Sequence, residues 1–126
     1  MKYVVVDIET TGGKPNGNGI TEIGIVHVEH KKITHQWSTF INPLQSIPYN
    51  IQMLTGINDD MVADAPTFEE AIPELLKHLE GDIFVAHSVN FDYSFIDAAF
   101  REAGQPWRMP KLCTVKYSKA VFPEFG

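Results

Sequence analysis

Residues 3–12 read YVVVDIETTG and form the most informative stretch of the chain. Its apolar beginning predicts a buried β-strand, with Asp7 and Glu9 at the strand's end. Because successive side chains of a strand point to opposite faces, these two carboxylates project from the same face. They are either ordinary solvated side chains or ligands of a divalent cation that relieves their repulsion. Mg²⁺ and Mn²⁺ prefer such oxygen ligands, and paired ions of this kind serve phosphoryl transfer.

The sequence around this strand predicts an antiparallel meander. The first strand covers residues 2–9, and a glycine-rich loop leads to further strands at about 20–28 and 33–41. Lys31 and Lys32 mark the tight reversal between the second and third strands. Ile23, Ile25, Val26 and Val28 of the second strand are expected to supply core contacts.

Two helical segments follow the meander. Residues 48–54 predict a short helix that ends at Gly56. Thr67 and Glu70 have the spacing of a capping box, which begins an amphipathic helix that Gly81 is expected to close. Pro73 inside this second helix removes one hydrogen bond and should kink the helix or delay its regular start.

The remaining segments predict a parallel unit. Residues 83–86 form a short buried strand, and residues 90–103 form a helix that ends at Gly104. A fifth strand is expected at 112–115, followed by a helical stretch at 116–122. The order of elements gives an α/β fold in which a mixed sheet, a meander plus parallel strands, is flanked by helices.

Composition bounds the class of protein. With 126 residues and 44% hydrophobic residues, the chain is expected to be one domain. It contains neither an apolar run of about eighteen residues nor a cleavable leader, so no membrane partner is expected. Cys113 is the single cysteine, which predicts a reduced thiol and a cytoplasmic location.

The charge is negative overall and unevenly distributed. A net charge of −6 argues against a broad basic surface that grips duplex nucleic acid. Residues 100–126 nevertheless carry five basic and two acidic side chains, a net charge of +3. Such a cluster is either a solvated face or a surface that follows phosphates.

A second polar cluster follows the predicted strand at 83–86. Residues 87–92 read HSVNFD, where the strand passes into a helix. Asp92 lies near the helix N-terminus, whose dipole stabilises a carboxylate, and it can still point towards the sheet edge. Asp92 is therefore either a third metal ligand or a residue that merely favours the helix start, with His87 satisfying a local backbone group.

With DIETTG at residues 7–12 and HSVNFD at residues 87–92, the chain resembles the DEDD exonucleases. The similarity is greatest to the DnaQ-like (DEDDh) group, which includes the epsilon subunit of bacterial DNA polymerase III. Further matches are ITEIG at 20–24, INP at 41–43, LTGI at 54–57 and APTF at 65–68. The resemblance covers the whole chain. It implies a ribonuclease H-like fold and hydrolysis of DNA or RNA from the 3′ end to nucleoside monophosphates, with proofreading or repair as its setting.

The resemblance also implies roles for individual residues. Asp7 would bridge two Mg²⁺ or Mn²⁺ ions, Glu9 would hold one of them, and Asp92 would support the other. The partners implied are single-stranded DNA or RNA 3′ ends and a DNA polymerase catalytic subunit. Residues that match substrate-contacting positions are Thr10, Thr11, Leu54, Thr55, His87 and Asn90.

One departure concerns the third motif of the family, a His followed five residues later by an Asp on a late helix. The only such pair here is His87 and Asp92, which belongs to the second motif. The fourth carboxylate and the general base are therefore missing. We expect residues 1–126 to be an exonuclease domain that is incomplete at its C-terminus and weakly active or inactive alone.

Two other functions remain open. A module with an exonuclease-like fold could bind nucleic acid or dock on a polymerase without cutting. A phosphatase with an aspartyl nucleophile also begins with a strand and an acidic motif, but normally has Asp where Glu9 stands. The histidines at 27, 30, 35 and 78 show no convergent spacing, and Trp37 and Trp107 are expected to serve packing.

Overall fold

A computed structural model describes residues 1–113, and a five-stranded mixed sheet organises them. The spatial order is β3-β2-β1-β4-β5, in which β1 is antiparallel to β2 and parallel to β4. β2 and β3 are antiparallel, and β4 and β5 are parallel. The predicted mixed sheet is confirmed. The strands are β1 (Lys2–Thr10), β2 (Ile20–Glu29), β3 (Lys32–Phe40), β4 (Ile83–Ala86) and β5 (Lys111–Cys113).

Four helices lie among the described residues. They are α1 (Tyr49–Thr55), α2 (Asp59–Val62), α3 (Phe68–His78) and α4 (Val89–Glu102). The α2 helix was not predicted, because four residues are too few to show helical periodicity. Asn58 caps it by accepting a hydrogen bond from the Met61 amide. None of these helices has the length and apolar character needed to cross a bilayer.

Strand β1 lies at the centre of the sheet and contributes to both faces. Val4, Val6 and Ile8 pack into the larger core, which also contains buried residues of α3 and α4. Tyr3 and Val5 pack on the opposite face with a smaller cluster around Val28 and Val85. Asp7 and Glu9 continue the row of Tyr3 and Val5, as the alternation of a strand requires. The carboxylates therefore project from the face that carries the smaller cluster.

The helix boundaries test the sequence signals. The capping box of Thr67 and Glu70 forms as predicted, and α3 continues through Pro73 as one helix. Gly56 has the expected left-handed conformation, with φ 77° after α1. The role predicted for Gly81 is wrong, because α3 ends at His78. A Cβ atom at position 81 would overlap the Val4 side chain, so glycine is needed for close approach to β1.

The β2–β3 reversal lies one residue earlier than predicted. Its two central residues are His30 and Lys31, with φ of 52° and 63°. Glu29 and Lys32 pair across the turn. Two positive φ values define the type I′ geometry that joins antiparallel strands with a two-residue loop. The fifth strand is confirmed at residues 111–113, whereas its extension to 115 and the predicted helix at 116–122 lie outside the described residues.

Candidate active site

The unequal lengths of β1 and β4 create the candidate site. The ladder between them contains only the pairs Tyr3–Ile83, Val4–Phe84 and Val5–Val85. Strand β1 continues to Thr10, so its last residues extend past β4. The edge of β1 that faces β4 thus lacks a strand partner beside Asp7 and Glu9.

Asp92 occupies this position. The chain leaves β4 at Ala86, turns through two residues and begins α4 at Val89. Asp92 lies in the first turn of α4 and is only 5% exposed. Its Oδ2 atom accepts a hydrogen bond of 3.2 Å from the Ile8 amide. Since Ile8 stands between Asp7 and Glu9 in the sequence, this bond brings the carboxyl group of the second cluster to the first cluster.

The electrostatic environment of Asp92 reflects this arrangement. Burial raises the pKa of its carboxyl group to about 6, and the charges of Asp7 and Glu9 act in the same direction. The hydrogen bond from the Ile8 amide opposes the rise, since it favours the ionised form. Burial also raises the pKa of Glu9, followed by smaller contributions from the Asp7 and Glu22 charges. Nearby negative charge therefore adds to burial in hindering the ionisation of Glu9 and Asp92.

Glu22 is an acidic residue of this site that the sequence analysis did not assign. It pairs with Glu9 across the β1–β2 ladder, next to a β-bulge between Glu9 and Thr10. Like charges at directly opposed positions of a sheet are unfavourable unless a cation offsets them. Only the strand register could have revealed the pair, although Glu22 lies within the quoted ITEIG stretch.

The chemistry of these side chains suits a hard cation. Asp7, Glu9 and Asp92 offer carboxylate oxygens, the donors that Mg²⁺ and Mn²⁺ prefer, and a cation would relieve their mutual repulsion. However, no group of three or more His, Cys, Asp or Glu side chains in residues 1–113 has the arrangement of a metal site. The described carboxylates therefore supply suitable donors without forming a complete set of ligands by themselves.

Thr10 and Thr11 lie at the end of β1 and hold the loop that follows. The Thr10 hydroxyl donates to the Gly12 carbonyl at 2.7 Å. Thr11 is 1% exposed, and its Oγ1 atom accepts from the Gly19 amide and lies 3.0 Å from the Asn18 Oδ1 atom. These bonds fix the 12–19 loop beside the carboxylates. A contact between either threonine and a substrate stays a prediction.

The other predicted substrate-binding residues lie on two separate elements. Leu54 and Thr55 end α1, where Leu54 is 80% exposed and the Thr55 hydroxyl accepts from the Ile57 amide. His87 and Asn90 are exposed on either side of the α4 start. Asn90 thus shares the first turn of α4 with Asp92. The substrate contacts of all four residues stay predictions.

Three histidines that appeared unrelated in the sequence meet in the fold. The Nε2 atom of His27 lies 2.6 Å from the His78 carbonyl oxygen, and the Nε2 atom of His35 lies 3.0 Å from the His78 Nδ1 atom. The ring of Trp37 stacks on His78 with centroids 4.2 Å apart. The prediction that these histidines do not converge is wrong, because β2, β3 and the end of α3 bring them together.

Comparison with known sequences gives consistent matches. The RNase_T family model, which describes an exonuclease, matches residues 4–126. The 3′-5′ exonuclease DinG of Bacillus subtilis is 41% identical over 129 residues, covering 99% of this chain and 14% of DinG. DNA polymerase III subunit epsilon of Aquifex aeolicus is 38% identical over 122 residues, covering 96% of this chain and 60% of that protein.

A solved structure of Exonuclease X in complex with 5′ overhanging duplex DNA is also similar. The TM-score is 0.71 with 29% sequence identity, and the match covers 96% of this chain and 64% of Exonuclease X. The chain therefore corresponds to a part of each of these three proteins, from 14% to 64% of their lengths.

Proposed function

The chain belongs to the RNase_T exonuclease family, as its motifs indicate, and we propose that it carries the catalytic carboxylates of a two-metal-ion 3′-to-5′ exonuclease. The enzyme removes nucleotides from the 3′ end of DNA or RNA as nucleoside monophosphates. Asp7, Glu9 and Asp92 hold two divalent ions, Mg²⁺ or Mn²⁺. The related 3′-5′ exonuclease DinG and polymerase subunit epsilon support this reaction.

One observation carries the proposal. The hydrogen bond between the Ile8 amide and the Asp92 Oδ2 atom joins two acidic clusters that are 84 residues apart in the sequence. A carboxyl group that only favoured its own helix start would not need to reach another strand. Burial of this acid raises its pKa, which is a cost in free energy for the folded chain at neutral pH. A functional role for the charge explains why the fold accepts this cost.

The protein's own contribution to the reaction is to position charged groups. Asp92 is anchored to the β1 backbone, and the bulge after Glu9 changes the direction in which the end of β1 leaves the sheet. Bound ions would activate the attacking water and stabilise the leaving 3′-oxygen of the terminal phosphodiester. The hydrogen bonds of Thr10 and Thr11 hold the 12–19 loop that follows β1.

A general base is needed to take the proton from the attacking water. The sequence contains no histidine after His87. We therefore place the base and the fourth carboxylate of the resemblance outside residues 1–126. The proposal includes action on single-stranded 3′ ends, association with a DNA polymerase catalytic subunit and a cytoplasmic location.

The experiment that tests this function is digestion of a 5′-labelled single-stranded oligonucleotide by the full-length protein in Mg²⁺ or Mn²⁺. We expect a ladder of products that become shorter from the 3′ end. A chelator should abolish this digestion, and a terminal 3′ phosphorothioate linkage should slow it. The Asp7→Asn and Asp92→Asn proteins should lose at least a hundredfold in rate. The 126-residue chain should be weakly active or inactive. Full activity of Asp92→Asn would refute the assignment of this residue.

A non-catalytic binding or docking module is the second candidate. The observation in its favour is that no complete metal-ligand group exists among residues 1–113. Such a module would bind a strand equally well in Mg²⁺ and in chelator, and the full-length protein would leave the oligonucleotide intact. A metal-dependent ladder excludes this candidate. A colorimetric assay with a phosphate monoester separates both functions from an aspartyl phosphatase.

A further inference from the structure

A cleft with three basic side chains lies beside α4, away from the carboxylates. One wall is the outer face of α4, where Tyr93, Asp97 and Arg101 follow each other at four-residue spacing. The opposite wall contains Arg108 and the beginning of β5, and the cleft, which is open to solvent, has a volume of about 820 Å³. Arg101, Arg108 and Lys111 supply its basic groups, and we call this feature the cationic cleft.

The cationic cleft has an excess of positive charge. Arg101 forms an ion pair with Asp97 at 3.3 Å, although 81% of the Arg101 side chain is exposed. Arg108 and Lys111 are exposed, and neither is ion-paired within residues 1–113. The chain as a whole carries a net charge of −6. The cationic cleft is therefore a local exception that would attract a polyanion.

The walls of the cationic cleft are well supported. The Tyr93 hydroxyl accepts a hydrogen bond of 3.1 Å from the Met109 amide. The Lys111 Nζ atom lies 4.6 Å from the centre of the Tyr93 ring. Trp107 packs on Phe100 from the core side, with ring centroids 5.2 Å apart. Because aromatic packing holds the backbone next to the exposed cations, little backbone order has to be gained when a ligand binds.

The position of the cationic cleft relates it to the candidate active site. Tyr93 directly follows Asp92 in α4, so one residue faces the β1 end while the next faces the cationic cleft. From Tyr93 to Arg101 the helix extends about 12 Å at its usual rise per residue. This distance matches the backbone of a few nucleotides. Arg101 lies eight residues beyond Tyr93 near the end of α4, and Lys111, the first residue of β5, lies beside the Tyr93 ring.

We propose that the cationic cleft binds the phosphate backbone of the substrate strand a few nucleotides upstream of its 3′ end. The inference rests on the proposed exonuclease function, because it assumes that the strand end lies at the carboxylates. Arg108 and Lys111 contact phosphates without reading bases, so binding here is independent of sequence. The acidic residues of the site then meet the strand only where metal ions offset their charge.

The test measures how salt weakens binding. A labelled 12-nucleotide single strand with hydrolysis-resistant 3′ linkages is titrated with the full-length protein in Mg²⁺, at several salt concentrations. The variant Arg108→Gln/Lys111→Gln removes two cations from the cationic cleft. The matched control Lys32→Gln/Lys77→Gln removes two exposed cations from β3 and α3.

Each phosphate contact on a single strand contributes about 0.7 to the slope of log affinity against log salt concentration. Loss of two contacts should lower the slope by about 1.4, so between 50 and 200 mM salt the wild type should lose about sevenfold more affinity than the variant. The control should keep the wild-type slope. Hydrolysis of a dinucleotide, which cannot reach the cationic cleft, should be unchanged in both variants.

Several results would overturn the inference. One is a cleft variant that keeps the wild-type slope. Another is a control variant whose slope falls as much as that of the cleft variant, which would indicate a general effect of charge. A variant that binds the strand normally but no longer associates with a polymerase subunit would assign the cationic cleft to an acidic protein partner. If the double variant melts early, Arg108→Gln alone should still lower the slope by about 0.7.

The outcome for the inference is distinguishable from the outcome for the proposed function. A protein that binds the strand with the expected slope but never shortens it would refute the exonuclease and keep the cationic cleft. If the protein digests the strand and the cleft variant keeps the wild-type slope, the exonuclease function stands and the role of the cationic cleft is refuted.

Discussion

Replacing Asp92 by asparagine should stabilise the metal-free protein while it removes a proposed metal ligand. The side chain is 5% exposed, and its carboxyl group has a pKa of about 6 instead of 3.8. In the unfolded chain the same group ionises at its ordinary value. Asparagine keeps an oxygen that can accept the Ile8 amide, but it carries no charge to desolvate or to repel Asp7 and Glu9.

The size and sign of the effect follow from proton linkage. Below pH 3.8 the carboxyl group is protonated in both states, so its ionisation costs the fold nothing. Between pH 3.8 and about 6 the unfolded chain loses this proton first, so stability falls as the pH rises. Above that range the whole difference is present, which amounts to about 3 kcal/mol. The variant should therefore be more stable than the wild type by up to about 3 kcal/mol at pH 8 and by much less at pH 4.

Urea unfolding in chelator, from pH 4 to pH 8, measures this difference. Asp97→Asn is the control, since Asp97 lies on the same helix with an exposed arginine partner, and its change should stay within about 0.5 kcal/mol at every pH. Adding Mg²⁺ should stabilise the wild type by about 2.7 kcal/mol at a hundred times its dissociation constant, and the variant much less. A stability difference that does not grow with pH, or a variant less stable than the wild type at pH 8, would refute the reasoning.

Three further predictions concern stability. Gly81→Ala should cost about 1–3 kcal/mol in urea unfolding, because its Cβ atom would overlap Val4, and an unchanged midpoint would contradict the close approach. His30→Asn/Lys31→Gly should raise the stability by about 1 kcal/mol, since both positions have positive φ; a loss would contradict the type I′ turn. Burial, with smaller contributions from His35 and His27, lowers the pKa of His78 against the opposing effect of Glu74. In the Asp92→Asn background, stability should thus fall as the pH drops below 6.5, because the unfolded chain binds a proton at His78 more readily than the folded chain. The additional variant His78→Gln should reduce that fall. Equal pH profiles with and without this substitution would exclude His78 as the source of the pH dependence.

Local patterns predicted the secondary structure well. Strand β4 lies at the predicted residues 83–86, and α4 begins and ends one residue before its predicted bounds of 90 and 103. Capping at Thr67 and the left-handed glycine after α1 were also visible, since these signals act over three or four residues. Gly81 was misassigned because its neighbour, Val4, is distant in the sequence. A close approach between β1 and the loop before β4 leaves no local signal.

The sequence predicted some residues of the candidate site and missed others, because contacts between distant residues leave no local signal. Asp7 and Glu9 share one strand, so alternation alone places them on one face. Asp92 was a candidate because it follows a strand-to-helix transition, but its bond to the Ile8 amide depends on the shortness of β4. Glu22 was not assigned to the site, because its position opposite Glu9 requires the β1–β2 register.

Apolar periodicity, caps and ordered motifs are local properties of the chain, and they were enough to predict the family, the mixed sheet and the order of the described elements apart from α2. Which distant side chains meet depends instead on how the elements pack in three dimensions. The pairing of Glu9 with Glu22, the convergence of His27, His35 and His78, and the grouping of Arg101, Arg108 and Lys111 all combine residues from different elements. Strand register and helix packing set these distances, and both are fixed by burial of the whole core rather than by any single segment.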